Sequence, residues 1–326
     1  MPLLIITPGD PSGIGPEVAV KSFLKEPGLF RGCLPVIVGD FSVLKKYLKP
    51  GLKYRITKNS FPQAPLKNTL NIVDLEILKG PVKMGHPDKD CGAASIKYID
   101  FAVKTLQSAY FYRQKAVLVT APISKEAVIK SGIKGFSGHT EYLAKITGKR
   151  EVAMLMVSGK YRVLLATRHI PLESVSSALT KKLITSQAMV AKQELEKYLR
   201  QKIRRVVMCG LNPHCGEGGH IGKEEHRVII PAMKELRKRG IQTAGPVSAE
   251  HSFACCGKND MIVCHYHDQA MVPLRLLCGM KLVNVTCGLD FMRVSPAHGT
   301  AFDIAGKNKA DPAGMIEAIK FASGCN

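Results

Sequence analysis

Three histidines stand just past apolar runs: His169 after 162–167, His214 after 205–210 and His267 after 261–265. Neutral imidazoles presented from separate loops can hold a divalent cation and leave positions open for a substrate. Taken singly, each can equally cap a strand or fill a loop. Asp268 and Glu217 lie close by, and His265 shares a strand face with His267, which makes it an alternative ligand. His86, His220 and His226 lack such a setting and read as solvated. A second constellation, Gly138-His139-Thr140-Glu141, opens a helical stretch. A helix N-terminus with flanking donors is a natural cradle for phosphate or carboxylate, although capping by Ser137 or Thr140 would leave the same pattern. A third, Ser295 to Lys307 around His298-Gly299-Thr300-Ala301, is too polar for a core helix and reads as a ligand-shaped loop.

The standard motifs are missing. No G-x-G-x-x-G follows a strand, and there is no G-K-[ST], H-E-x-x-H or G-x-S-x-G. Classical Rossmann, P-loop, zincin and serine-hydrolase chemistry are therefore disfavoured. The ten cysteines include no C-x-x-C and sit mostly in apolar stretches, where a reduced thiol acts as a small hydrophobe.

The elements that must hold these groups alternate. Strands are expected at 3–7, 35–39, 116–120, 162–167, 205–210, 261–265 and 282–286. Helices are expected at 16–25, 94–111, 124–131, 140–147, 180–202, 224–239 and 312–322. Pro16 sits at a first helical position, and Gly132, Gly148 and Gly240 sit where helices stop. Residues 50–70, rich in Pro and Gly, read as an irregular excursion or hairpin insertion. The alternation predicts an α/β fold with largely parallel sheets. At 326 residues, two lobes are expected. Five polar loops, two of them Gly-rich, follow strand ends, where open α/β sheets bind ligands: those after 3–7, 116–120, 162–167, 205–210 and 261–265.

Lys and Arg number 47 against 26 Asp and Glu, a net charge of +21. Such a field attracts anions. The basic residues are dispersed over surface helices, however, with no aromatic-studded basic strand, so no nucleic-acid partner is expected. No apolar run reaches the 18 residues of a membrane span, and the N-terminus lacks a basic leader, so a cytoplasmic protein with no membrane partner is expected.

Together, T-P-G-D-P-S-G-I-G-P-E at 7–17, G-H-T-E at 138–141, L-N-P-H-x-G-E-G-G at 211–219, Y-H-D-Q at 266–269 and H-G-T-A at 298–301 resemble the 4-hydroxythreonine-4-phosphate dehydrogenases of vitamin B6 biosynthesis, across essentially the whole chain. The resemblance implies a two-domain isopropylmalate dehydrogenase-like α/β fold with an active-site cleft between the domains. Residues 1–130 plus 290–326 would form the cofactor side, and 131–289 the metal and substrate side with the dimer interface. It implies metal-dependent, NAD- or NADP-linked oxidation of 4-phosphooxy-L-threonine, followed by decarboxylation to 3-amino-2-oxopropyl phosphate. By matched motifs, His169, His214 and His267 would bind one divalent ion (Zn, Co, Mg or Mn), the third histidine coming from the second subunit of a homodimer. His139, Thr140, Arg275, Asn284 and Arg293 would bind the phosphorylated substrate, with Asp268 and Arg275 as catalytic candidates. Gly288, His298, Gly299 and Asp303 would meet the cofactor.

Two positions depart from the pattern. Arg275 stands where the family usually has Lys, and arginine cannot act as a general base. Glu250, in Ser248-Ala249-Glu250-His251, stands in place of the aspartate of P-A-D-T. A dehydrogenase of phospho-threonate or phospho-erythronate is the nearest rival, and an NAD-independent metal lyase or hydrolase the rival of a different class.

Overall fold

The computed structural model describes residues 1–62, 64–108, 116–199 and 202–324. The chain divides into two compact units, Met1–Leu143 with Asp290–Asn326, and Ala144–Leu289. Residues 131–143 thus fall in the first unit, and the division runs inside the helix His139–Ile146.

The first unit is built on a sheet of β1 (Leu3–Thr7), β2 (Leu34–Gly39), β3 (Tyr54–Lys58), β4 (Leu70–Asp74), β5 (Ala116–Thr120) and β12 (Met292–Pro296). Their order is β3-β4-β2-β1-β5-β12, and every pairing is parallel. β1 (LLIIT) and β4 (LNIVD) are buried along their whole length, as strands covered on both faces must be. Residues 54–58 are a correction to the expected excursion: β3 pairs parallel with β4, so this stretch extends the sheet and is no hairpin. Helix Lys89–Gln107 begins earlier than its apolar period suggests, because the Asp88 carboxylate caps it, accepting from the N–H groups of Asp90 (2.8 Å) and Cys91 (3.0 Å). The predicted end of this helix at 109–111 lies outside the described residues.

The second unit contains β6 (Ala153–Ser158), β7 (Tyr161–Leu165), β8 (Arg205–Cys209), β9 (Gln242–Val247), β10 (Asp260–Cys264) and β11 (Val283–Cys287), ordered β11-β6-β7-β10-β8-β9. β7, β10, β8 and β9 run parallel, and β6 is antiparallel to both neighbours. β6, β9 and β12 were not anticipated. AMLMVS has a Met-rich, weak β signal, QTAGPV carries an interior Gly-Pro, and MRVSP places an arginine in a buried strand. Helix His267–Cys278 was also missed, because Pro273 interrupts its pattern.

Parallel pairing carries the loops after β1, β5 and β12 to one edge of the first sheet. It carries those after β7, β10 and β8 to one edge of the second. The nine described cysteines are free.

Candidate active site

In the first unit, the loop after β1 locks onto the loop after β5. The Asp10 N–H donates to the Pro122 carbonyl at 3.0 Å. A β-carbon on Gly9, whose φ is +71°, would stand 2.1 Å from that same oxygen, so glycine is required there. The buried Asp10 carboxylate accepts from Ser12 N–H (2.9 Å) and Oγ (2.7 Å), while its other oxygen has no partner. Burial pushes its pKa up, against the pull of Ser12. The Ile14 N–H donates to the Thr300 carbonyl at 3.0 Å, which ties in the loop after β12.

Arg293, second residue of β12, is buried, and its Nε and Nη2 donate to Thr120 Oγ1 at the end of β5 (3.1 and 2.6 Å). Burial lowers its pKa and the Glu141 carboxylate opposes that shift. His139 stands near enough to feel this cation. Its pKa is held well below the usual value, by burial first and Arg293 second. Its Nε2 is sealed from solvent with no hydrogen-bond partner, and Thr140 beside it is buried. A neutral imidazole with an orphaned nitrogen, a buried guanidinium and a helix N-terminus form a cradle of donors suited to an anion. Of the expected residues, His139, Thr140 and Arg293 are therefore gathered in one place. Thr120, which braces Arg293, was not foreseen, since nothing in A-V-L-V-T sets it apart from an ordinary strand end.

His298 turns back on its own loop, its Nδ1 lying 3.0 Å from the Gly299 carbonyl. Gly299 and Asp303 are exposed, with open space around the glycine. That loop is clamped from beneath, where a β-carbon on Gly85 would meet the Phe302 carbonyl at 2.8 Å.

In the second unit the histidine loops are cross-linked. Thr167 donates to the His265 carbonyl through Oγ1 (2.6 Å). Gln269 accepts from His265 N–H (2.7 Å) and donates to the Gly210 carbonyl (2.8 Å), bridging the loops after β10 and β8. This makes Gln269 the structural member of Y-H-D-Q. His265 is a correction to the ligand reading: it is fully buried, its Nε2 is bonded to the Cys209 carbonyl at 2.7 Å, and burial pushes its pKa down to about 4. It ties strands together.

His169 and His267 do meet, with ring centroids 5.9 Å apart. The Asp268 carboxylate holds His267 Nδ1 at 2.6 Å, so the Nε2 lone pair is the one left for a ligand. Asp268 is thus a positioning residue for His267. Two half-exposed rings about 6 Å apart fit either side of one ion with bonds of about 2 Å. Among the described residues no three His, Cys, Asp or Glu side chains form a metal-holding group, so His214 does not complete the set within one chain.

His214 is held in an unusual way. Residues 214–218 all have positive φ, three of them (His214, Cys215 and Glu217) not glycine. The buried Glu225 enforces this turn: its Oε1 accepts from Leu211 and Asn212 N–H (both 2.8 Å) and its Oε2 from Asn212 Nδ2 (2.9 Å). Glu224 adds a second acceptor for that amide at 2.8 Å. Backbone strain spread over an exposed histidine and its neighbours points to function. Neither glutamate was singled out from sequence, because both begin a long amphipathic run.

The remaining expected residues have separate settings. Asn284 lies on β11 with a buried amide oxygen that lacks a partner. Arg275 donates to the Gly279 carbonyl at 3.0 Å, at the end of its own helix. Gly288 is packed: a β-carbon would stand 2.5 Å from the Glu151 carbonyl, and its N–H donates to Glu194. Glu250 is exposed, with His251 3.5 Å away.

A model of the family described as pyridoxal phosphate biosynthetic protein PdxA matches residues 31–322. The chain belongs to the PdxA family. Among its relatives, a 4-hydroxythreonine-4-phosphate dehydrogenase of Sulfurihydrogenibium sp. (strain YO3AOP1) is 39% identical, covering 98% of this chain and 97% of the relative. One from Aquifex aeolicus is 37% identical, covering 97% and 95%. The crystal structure of a 4-hydroxythreonine-4-phosphate dehydrogenase from Klebsiella pneumoniae superposes with a TM-score of 0.85 at 32% identity, covering 99% and 98%. A terephthalate 1,2-cis-dihydrodioldehydrogenase from Burkholderia xenovorans LB400 superposes at 0.65 with 27% identity, covering 99% and 97%. The PdxA fold therefore extends over nearly the full length of the chain. Among the described residues no helix is long and apolar enough to cross a membrane.

Proposed function

We propose that this PdxA-family chain is a metal-dependent, NAD- or NADP-linked 4-hydroxythreonine-4-phosphate dehydrogenase, oxidising the C3 hydroxyl of 4-phosphooxy-L-threonine to a β-keto acid that loses CO2. The observation that carries this reading is the buried anion cradle, Arg293 braced on Thr120 beside a neutral His139 with an orphaned Nε2. Buried N–H donors gathered at a helix N-terminus suit an anionic ligand, and a substrate phosphate is one. The family's named relatives give the reaction its class.

His169, His214 and His267 would hold the divalent ion, one of the three contributed by a second copy. The loop with His298, Gly299 and Asp303 would hold the nicotinamide cofactor's adenosine side, and Asn284 and Arg275 would complete the substrate contacts. The ion would supply Lewis acidity toward the substrate hydroxyl, and the nicotinamide would accept hydride. The chain's own residues bind and orient. Arg293 and His139 fix the phosphate end, and Asp268 keeps His267 in one tautomer.

A homodimer is favoured by the helix that begins at His267. Val272, Leu276 and Leu277 on it are 56, 83 and 54% exposed, an apolar face that a second copy would cover. The test is absorbance at 340 nm from chelator-stripped protein given 4-phosphooxy-L-threonine, NAD or NADP and a divalent metal. Metal-dependent reduced cofactor is expected. A folded protein that turns over phospho-threonate or phospho-erythronate instead would replace the substrate, and turnover without nicotinamide would replace the class.

A further inference from the structure

We propose that Lys125 is a further arm of the anion cradle and contacts the substrate phosphate; this deepens the functional reading above and rests on it. The backbone of Lys125 is fixed from both sides. Ahead of it, Pro122 is held by Asp10 and crowded by Gly9, and Ser124 accepts from Ala127 N–H at 3.1 Å. Behind it, a β-carbon on Gly92 would stand 2.1 Å from the Ala127 carbonyl, so the helix Lys125–Lys130 packs directly on its neighbour.

From this fixed root the side chain runs to the cradle. A β-carbon on Gly138 would lie 3.8 Å from Lys125 Cε, and the ammonium is one bond farther along. Gly138, at a φ of +151°, has no side chain to meet the lysine, and it directly precedes His139. The Lys125 ammonium has no ion pair or hydrogen bond among the described residues.

The charge balance of the cradle asks for this cation. Glu141 Oε2 lies 3.4 Å from the same point above Gly138, and its charge is felt by Arg293. Arg293 and Glu141 together leave little net charge, and His139 is held neutral. A phosphate monoester carries nearly two negative charges. Lys125 supplies positive charge on a flexible stem at the exposed rim, while Arg293 supplies the fixed buried fork.

The test compares wild type, Lys125→Met and Lys125→Arg. Lys125 is exposed, so all three should fold alike, which thermal melting checks. Inorganic phosphate is the probe, its affinity read by calorimetry and by competition with 4-phosphooxy-L-threonine. In Lys125→Met, phosphate affinity should fall and substrate KM rise by about ten- to hundredfold, the range of a lost charge-assisted hydrogen bond. The loss should fall on KM more than on kcat, with the KM for the nicotinamide unmoved. Lys125→Arg should recover most of it. Unaltered phosphate affinity in a folded Lys125→Met protein overturns the proposal. Should wild type fail to oxidise the substrate, the functional reading falls, while the phosphate titration still decides the role of Lys125.

Discussion

Replacing Glu225 tests whether a buried carboxylate sets the shape of the His214 loop. Three donors converge on it, two of them backbone N–H groups at 2.8 Å. A hydrogen bond to a charged group contributes about 1.5–3 kcal/mol, but three sharing one carboxylate do not add. Freed of the clasp, His214, Cys215 and Glu217 can also leave their left-handed conformations, which cost about 1–2 kcal/mol each. Offsetting these, Glu225→Ala should destabilise by about 3 kcal/mol. Glu225→Gln keeps one carbonyl oxygen for the backbone donors but turns an amide against Asn212 Nδ2, and should cost about 1–2 kcal/mol. Urea unfolding at pH 7 gives both values. Cobalt(II) titration gives the local effect, an affinity at least about tenfold weaker in the alanine variant, the scale of a lost supporting contact. A Glu225→Ala protein that unfolds within about 0.5 kcal/mol of wild type and binds cobalt equally well would refute the clasp.

Asp268→Asn should leave stability within about 0.5 kcal/mol, since the pair is exposed, yet weaken metal binding about 10–100-fold by releasing His267 from its tautomer; equal affinity by zinc competition would remove Asp268 from that role. Glu194 is buried, and desolvation pushes its pKa up to about 7. Between pH about 4.5 and 7 the unfolded chain has lost this proton and the folded chain has kept it. Stability should therefore fall as pH rises through that window, by up to about 3 kcal/mol, and level off above it. Glu194→Gln should abolish the decline in a pH series of melting curves, and a persisting slope would assign it elsewhere. Gly9→Ala faces a carbonyl at 2.1 Å as well as a positive φ, whereas Gly51→Ala, at φ +89°, meets open space. The first should cost about 2–4 kcal/mol and the second about 1 kcal/mol. Equal costs would show that backbone conformation, with no contribution from contact, decides both.

What could be read in advance was what local chemistry encodes. β1, β5, β8 and β10 are short apolar runs ending in polar loops, and they lie where those runs put them. His139, Thr140 and Arg293 meet, but the reason Arg293 is in place is tertiary: it occupies a buried strand and leans on Thr120, a contact no local pattern announces. His265 shows the reverse. Its spacing from His267 made it a ligand candidate, and only the carbonyl of Cys209 on the neighbouring strand reveals that its imidazole is committed. β3 and β4 were hidden because Pro50, Gly51, Pro62 and Pro65 break up the stretch around them, while their pairing depends on β2 being already in the sheet. Glu225 was invisible for a similar reason, since a carboxylate at a helix start looks the same whether it faces water or a strained loop.

The contact between Arg293 and Thr120 joins residues 173 positions apart. The second unit is one continuous stretch inserted between them. During synthesis, β5 and the helix bearing His139 leave the ribosome long before the strand that completes their sheet. Until β12 arrives, β5 presents a bare apolar edge, the kind of surface that pairs with other chains. The anion cradle cannot exist before the second unit has been made. Because the inserted unit is continuous, it can fold first and shorten the gap that β12 must span, so the chain order itself schedules assembly of the substrate site as a late event.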